Sequence, residues 1–278
     1  MDTASASRLE SIWRAHPEIF TRPIGDRVRD YGLWFLFFAI FGFGLWWVDA
    51  SPQRIWTGLG KLGFLLKFMW PPSDGGVFWE HVYAMVQTLG MAFLGTLLAA
   101  IVALPLGFLG AKNVVPNWVF HFTLRRGFDT LRGIDSVVWA LIFVSAVGLG
   151  PFAGILALAV SDVMVFSKVF AEAIENVDKK PIEGVRAAGA GQIQTLRLGL
   201  FPQVFPVMLS NLLYFFESNV RSATILGIVG AGGIGLQLSD RIRINNWDEA
   251  AFIILMILVT VAVIDNLSRH IRMKIIQA

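Results

Sequence analysis

Glu217 and Arg221 stand four residues apart beside a long apolar stretch, a spacing that puts both on one face of a helix. An ionisable side chain at the centre of a membrane helix costs about 2.5–3.5 kcal/mol on insertion scales, so the pair calls for a role. Two readings stand. In one, Arg221 lines a pathway for a small oxyanion together with Asn219, Ser222 and Thr224, the guanidinium fork matching the anion's oxygens. In the other, Glu217 and Arg221 neutralise each other and brace helix or dimer packing. Further on, Gly230-Ala-Gly232-Gly233-Ile-Gly235 fits G-x-G-x-x-G, with Asp248 in the distance range of a ribose-binding acid. A dinucleotide fingerprint needs a preceding strand and a βαβ unit, and here an apolar helix precedes it. These glycines read either as a non-helical segment contributing to a gate near the outer mouth, or as a point of close helix packing.

Other chemistries are excluded by residue type. There is no cysteine, and His16, His81, His121 and His270 show no ligand spacing, so no metal site is expected. No G-x-x-x-x-G-K-[ST] occurs, so this chain binds no ATP through a P-loop of its own. A membrane enzyme acting on phosphoryl lipids would need clustered His/Asp or Lys/Arg residues at one interface, and none is visible. A secondary transporter would show internal repeats and midplane carboxylates free to bind ions. No repeat is found, and Glu217 faces an arginine.

The stretch Asn176–Pro202 is polar, short and rich in turn residues. Asp178 suits a helix cap, Pro181 the first turn, and Glu183 a place where the helix dipole favours an anion. Arg186, Ala187 and Ala188 continue the helix, while Gly189 and Gly191 allow a sharp bend. A second helix from Gln192 to Leu200 leads to Pro202. Val185 and Ile193 are expected to be exposed, either as docking knobs for a partner or as the apolar side of a surface loop.

The elements that position these residues follow from composition. The chain has 278 residues, 55% of them hydrophobic and only 15% charged, with a mean hydropathy of +0.64. So much apolar surface exceeds what one soluble core of this length buries. A net charge of +3 is too small to argue for nucleic acid. Residues 31–48 and 82–111 are uncharged and long enough to span about 30 Å of hydrocarbon. In the second stretch Gly95, Ala99, Ala103 and Gly107 fall four apart, letting a neighbour approach closely, and Pro105 is tolerable there. Residues 136–161 form one long helix or two that turn at Gly148-Leu149-Gly150-Pro151 and extend over Arg132 and Asp135 on one side and Asp162 and Lys168 on the other. Further spans start at Val204 and Ala250. With six spans and both termini cytoplasmic, sixteen of the 23 basic residues lie inside and five outside, and the positive-inside rule selects this topology. Asp135, Asp162 and Asp265 then fall near span ends, in structural roles. Residues 51–80 carry Arg54, Lys61 and Lys67 among apolar residues and read as an interfacial helix, with a re-entrant piece as the alternative. The chain thus divides into a cytoplasmic segment 1–30, an extra first span with an interfacial helix over 31–80, and a core over 81–278.

Glu183, Gly189 six positions on, and Pro202 thirteen further resemble the EAA loop of ABC-importer permeases, with Gly184 and Val185 replacing the two alanines, Gly199 the isoleucine and Phe201 the leucine. The run Glu217–Gly235, Gly148–Gly154 and Phe170–Glu175 are similar to the permease subunit of phosphonate ABC transporters, a likeness covering about Met85 to Arg272. The resemblance implies an all-α type I importer permease in the cell inner membrane, normally a homodimer. It implies two cytoplasmic ATPase subunits that bind ATP and Mg and dock on Pro181, Glu183, Arg186, Ala187, Gly189, Gln192 and Pro202. A periplasmic binding protein would deliver a phosphonate, or, in related systems, phosphite or hypophosphite.

Overall fold

The computed structural model describes residues 24–115 and 117–277. Most of the cytoplasmic segment 1–30, with Arg8, Arg14 and Arg22 of the charge count, lies outside the described residues. The chain divides into two units, one ending at Leu66 and one beginning at Lys67.

The first unit holds α1 (Ile24–Trp47) and most of α2 (Pro52–Phe68). From Val28 to Trp47, α1 is long and apolar enough to cross a membrane, and none of that stretch is buried. Its aromatics stack on one another along the helix, Trp34 on Phe38 at 5.9 Å and Phe37 on Phe41 at 6.3 Å. A surface so apolar on every side suits lipid or another helix. The turn after α1 is closed by Arg54, which pairs with Asp49. α2 buries no residue and carries Arg54 and Lys61 among Ile55, Trp56 and Leu59, the composition of a helix at the headgroup layer.

The second unit contains α3 (Phe78–Gly110), α4 (Trp118–Leu131), α5 (Ser136–Val147), α6 (Pro151–Glu175), α7 (Lys179–Ala187), α8 (Gln192–Thr195), α9 (Phe201–Leu226), α10 (Gly233–Arg243) and α11 (Trp247–Gln277). Two π-helical turns, Leu196–Leu200 and Gly227–Ala231, flank α9. Among the described residues, five helical stretches are long and apolar enough to span, and the pair α4 and α5, bent by 79°, makes up to a sixth. α3 and α6 form the central pair. The small-residue stripe is buried as expected: a Cβ on Gly95 would stand 2.8 Å from Leu158 Cβ, and one on Gly107 2.7 Å from Phe170 Cβ. Apolar clusters run along this pair, with Phe166, Phe170 and Ile174 towards one end and Met91, Leu158 and Leu226 beyond them.

The turn at 148–151 forms where the sequence places it. Gly148 and Gly150 adopt φ of +91° and +139°, which favour glycine, and Pro151 opens α6. The expected extension of α5 over Arg132 and Asp135 does not occur. Asp135 caps the helix instead, accepting from Val137 N at 2.8 Å, and α5 is left about 18 Å long, too short to span alone. On the other side α6 does continue, to Glu175, so Asp162 sits at mid-helix rather than near a span end. Asp265 likewise lies well inside α11.

Candidate functional site

The polar stretch after α6 folds as a helical hairpin. Asp178 caps α7 by accepting from Lys180 N at 3.0 Å. Glu183 falls beyond the first turn, where the helix dipole no longer favours an anion, and lines a groove instead. Gly189 takes φ +86° and makes the bend by itself, with open space around its α-carbon. Gly191 is not a bend: at φ −68° it caps α8, and Gln194 Oε1 accepts from its N–H at 3.0 Å. The second helix spans Gln192 to Leu200 as expected, four residues of α-helix followed by a π turn that runs directly into α9. The hairpin closes because Gly199 has no side chain; a Cβ there would stand 3.1 Å from Ile182 Cα. Gln203, in the first turn of α9, accepts from Asp178 N at 3.1 Å and donates to the carbonyls of Asp178 and Gly199 at 3.2 and 2.7 Å.

Between this hairpin and the ends of α3 and α6 lies a groove of about 700 Å³. Glu183, Arg186 and Gln192 line it together with Lys112, Glu175 and Ile182. Pro181, Ala187, Gly189 and Pro202 are exposed on the hairpin and at the head of α9. Ile193 is 81% exposed, whereas Val185 is half-buried.

The charged pair on α9 is differently partnered from its spacing. Glu217 and Arg221 remain neighbours at 3.9 Å, but each has a closer partner on α11: Arg221 bonds Asp265 at 3.1 Å and Arg272 bonds Glu217 at 2.8 Å. The result is a four-member ladder of alternating charge. The Arg221 side chain is 45% exposed, so its guanidinium keeps donors free. Asn219 lies on the opposite side of α9, and Thr224, one turn beyond Arg221, is also buried. Asn219 donates to Thr96 Oγ1 at 2.9 Å and to Asp162, while Thr224 donates to Val220 O at 3.1 Å. Ser222 is half-buried beside Arg221. Of the five polar residues, Glu217 and Arg221 join an interhelical ladder and Asn219 a buried three-helix knot joining α3, α6 and α9, whereas Thr224 bonds within α9 and Ser222 joins neither.

The glycine run is both non-helical and closely packed. Gly230, Gly232 and Gly233 have φ of +103°, +79° and +69°, so the backbone leaves the helix there. Gly235 then packs directly on the Thr224 carbonyl, with no room for a Cβ. The loop is pinned at two points: Gly150 N donates to Gly230 O at 3.1 Å, and Ile234 N donates to Thr88 Oγ1 at 2.9 Å. The outer turn between α5 and α6 and the glycine loop thus form one joint.

Sequence reasoning missed the partners on α11 and the carboxylate of the buried knot. The uncharged stretch ends at Ser161, and although the helix is expected to extend over Asp162 and Lys168, Asp162 still reads as lying near a span end. Starting the helix at Pro151 and counting about 20 residues would have put that carboxylate in the interior.

The family described as binding-protein-dependent transport system inner membrane component matches residues 103–277. The phosphite transport system permease protein PtxC of Stutzerimonas stutzeri is 35% identical over 88% of this chain and 89% of its own. The phosphate-import permease protein PhnE of Mycolicibacterium smegmatis is 33% identical over 92% of this chain, which spans only 48% of that longer protein. A crystal structure of the methionine ABC transporter MetNI in inward-facing conformations contains a chain with TM-score 0.63 and 22% identity, covering 71% of this chain and 96% of its own; it has the same fold. On the family match and on similarity along nearly its whole length, the chain belongs to the binding-protein-dependent transport inner membrane components and is the permease subunit of an ABC importer.

Proposed function

We propose that two copies of this chain form the membrane pathway of an importer for phosphonate-type oxyanions. Two cytoplasmic ATPase subunits, which bind the ATP and Mg, would drive it, and a periplasmic binding protein would supply the cargo. The observation that carries the cargo class is the similarity, over about nine-tenths of the chain, to permeases named for phosphite and phosphate. The same names favour a second reading in which phosphite or phosphate is the cargo and the mechanism is unchanged. That this chain maps onto 48% of the Mycolicibacterium protein supports a pathway made of two such units.

The hairpin 178–200 is the coupling element of this reading. Its groove, open and lined by charged residues beside the exposed Ile193, suits a protruding part of an ATPase. Force on α7 reaches α9 by the Ile182–Gly199 contact and the Gln203 bonds. α9 carries Arg221 at its far end, so closure of the ATPases moves the charged ladder. The joint at Gly150 and Gly230 is where the outer mouth would flex. No ATP site of its own is assigned to this chain. The test is uptake in proteoliposomes with the partner ATPase and binding protein, phosphonate, phosphite and phosphate competing. Uptake of none of these, in an assembly that hydrolyses ATP, would overturn the cargo class.

A further inference from the structure

Next to the coupling groove lies a separate pocket of about 340 Å³, at the junction of α4 with the ends of α3 and α6. Its walls are basic. Arg125 Nη2 bonds Glu175 Oε2 at 2.9 Å, His121 Nε2 stands 3.4 Å from Glu175 Oε1, and Lys168 Nζ bonds Asp129 at 2.8 Å. These contacts neutralise Arg125 and Lys168. Lys112 and Arg126 remain, Arg126 only 3.8 Å from the already paired Asp129, so the pocket keeps a surplus of two positive charges. The Arg125 Nε–H is buried and without an acceptor, a donor that an oxyanion in the pocket would satisfy.

The helix that forms this pocket is built for the membrane surface. α4 meets α5 at 79°, and its first turns expose Trp118 (74%) and Val119 (64%), with Trp118 stacked on Phe122 at 5.6 Å. Arg126 lies over the Phe122 ring at 5.3 Å. Trp118, Phe122, Arg125 and Arg126 share one face of α4, so exposed rings and cations stand together there, the pairing found at the headgroup level of a bilayer. The charge distribution of the sequence puts this end of the bundle on the cytoplasmic side, where the leaflet carries anionic lipid and basic pockets between helices bind its head groups.

We propose that the pocket of Lys112, His121, Arg125 and Arg126 is a binding site for a phosphate-ester oxyanion, supplied by an anionic phospholipid of the cytoplasmic leaflet. Trp118 and Phe122 would flank the acyl chains. The site is distinct from the oxyanion pathway and stands whatever the cargo is.

The full chain in detergent micelles, titrated with phosphatidylglycerol, cardiolipin or phosphatidylcholine and followed by native mass spectrometry, tests this. Phosphatidylglycerol and cardiolipin are expected to stay bound and phosphatidylcholine to be lost. Arg126→Gln, an exposed position, is expected to weaken phosphatidylglycerol about fivefold, and Lys112→Gln with Arg126→Gln about 25-fold. Arg269→Gln, outside the pocket, is expected to leave it unchanged. Equal retention of the zwitterionic lipid, or equal affinity in Arg126→Gln and the parent chain, would overturn the site. Displacement of phosphatidylglycerol by millimolar inorganic phosphate would overturn the lipid as its occupant.

Discussion

Arg221 on α9 and Asp265 on α11 meet at 3.1 Å in the interior of the span, and the arginine still exposes nearly half of its side chain. A pure brace would hide its cation, because a charge facing lipid is costly and one paired on all sides is not. Arg221→Ala is expected to lower uptake more than tenfold while the ATPase still associates. The exchange Arg221→Asp with Asp265→Arg keeps the pair and moves the cation. It is expected to remain inactive; restored uptake would reduce the pair to packing.

The buried knot makes an opposite kind of prediction. Asn219→Ala leaves the Asp162 carboxylate without its donor, at a cost of about 2–3 kcal/mol. Asp162→Asn keeps an acceptor and is expected to fall well below that. Thermal unfolding of the purified chain reads both, and equal losses would mean that Asn219 serves Thr96 alone.

At the hairpin, Ile193 is 81% exposed and so has little packing to lose. Ile193→Glu is expected to leave the melting temperature unchanged and to abolish stimulation of the ATPase by binding protein. Glu183→Arg, reversing the charge at the groove, should uncouple in the same way. If pull-down and stimulated hydrolysis both survive in these variants, the hairpin is not the coupler.

Glycine substitutions separate packing from backbone conformation. Gly95→Ala and Gly107→Ala put a methyl against the Cβ atoms of Leu158 and Phe170, and each is expected to cost about 1–3 kcal/mol. Gly90→Ala, where nothing lies within 4 Å, should be neutral or slightly stabilising. Melting curves of the three in one detergent make the comparison.

Much of this architecture was legible in residue order. The stripe Gly95–Gly107, the turn Gly148–Pro151 and the Asp178 cap each rest on local chemistry, and each is where it was expected. The positions that escaped depend on which distant helix arrives alongside. Nothing near Arg221 says that Asp265 on α11 is closer to it than Glu217 one turn away. That Asn219 and Arg221 point to opposite sides, by contrast, follows from helix geometry alone, since two residues are about 200° of rotation. Asp162 was misplaced because an apolar count stops at the first acid, whereas a helix continues wherever that acid finds a donor. The π turn inside the second hairpin helix was missed for another reason: it leaves no mark in composition.

Those π turns give chain length a meaning of its own. Each admits one residue more than an α-helical turn would hold, and one residue is about 100° of rotation around the helix axis. Leu196–Leu200 therefore sets the azimuth of the hairpin relative to α9, whereas at Gly227–Ala231 the positive φ of Gly230 breaks the helix outright. Removing a single residue from the first, with no side chain lost from the groove, would swing the hairpin by more than a quarter-circle relative to Arg221. Related chains that keep every contact residue but differ by one position here would be wired to a different face of the same helix.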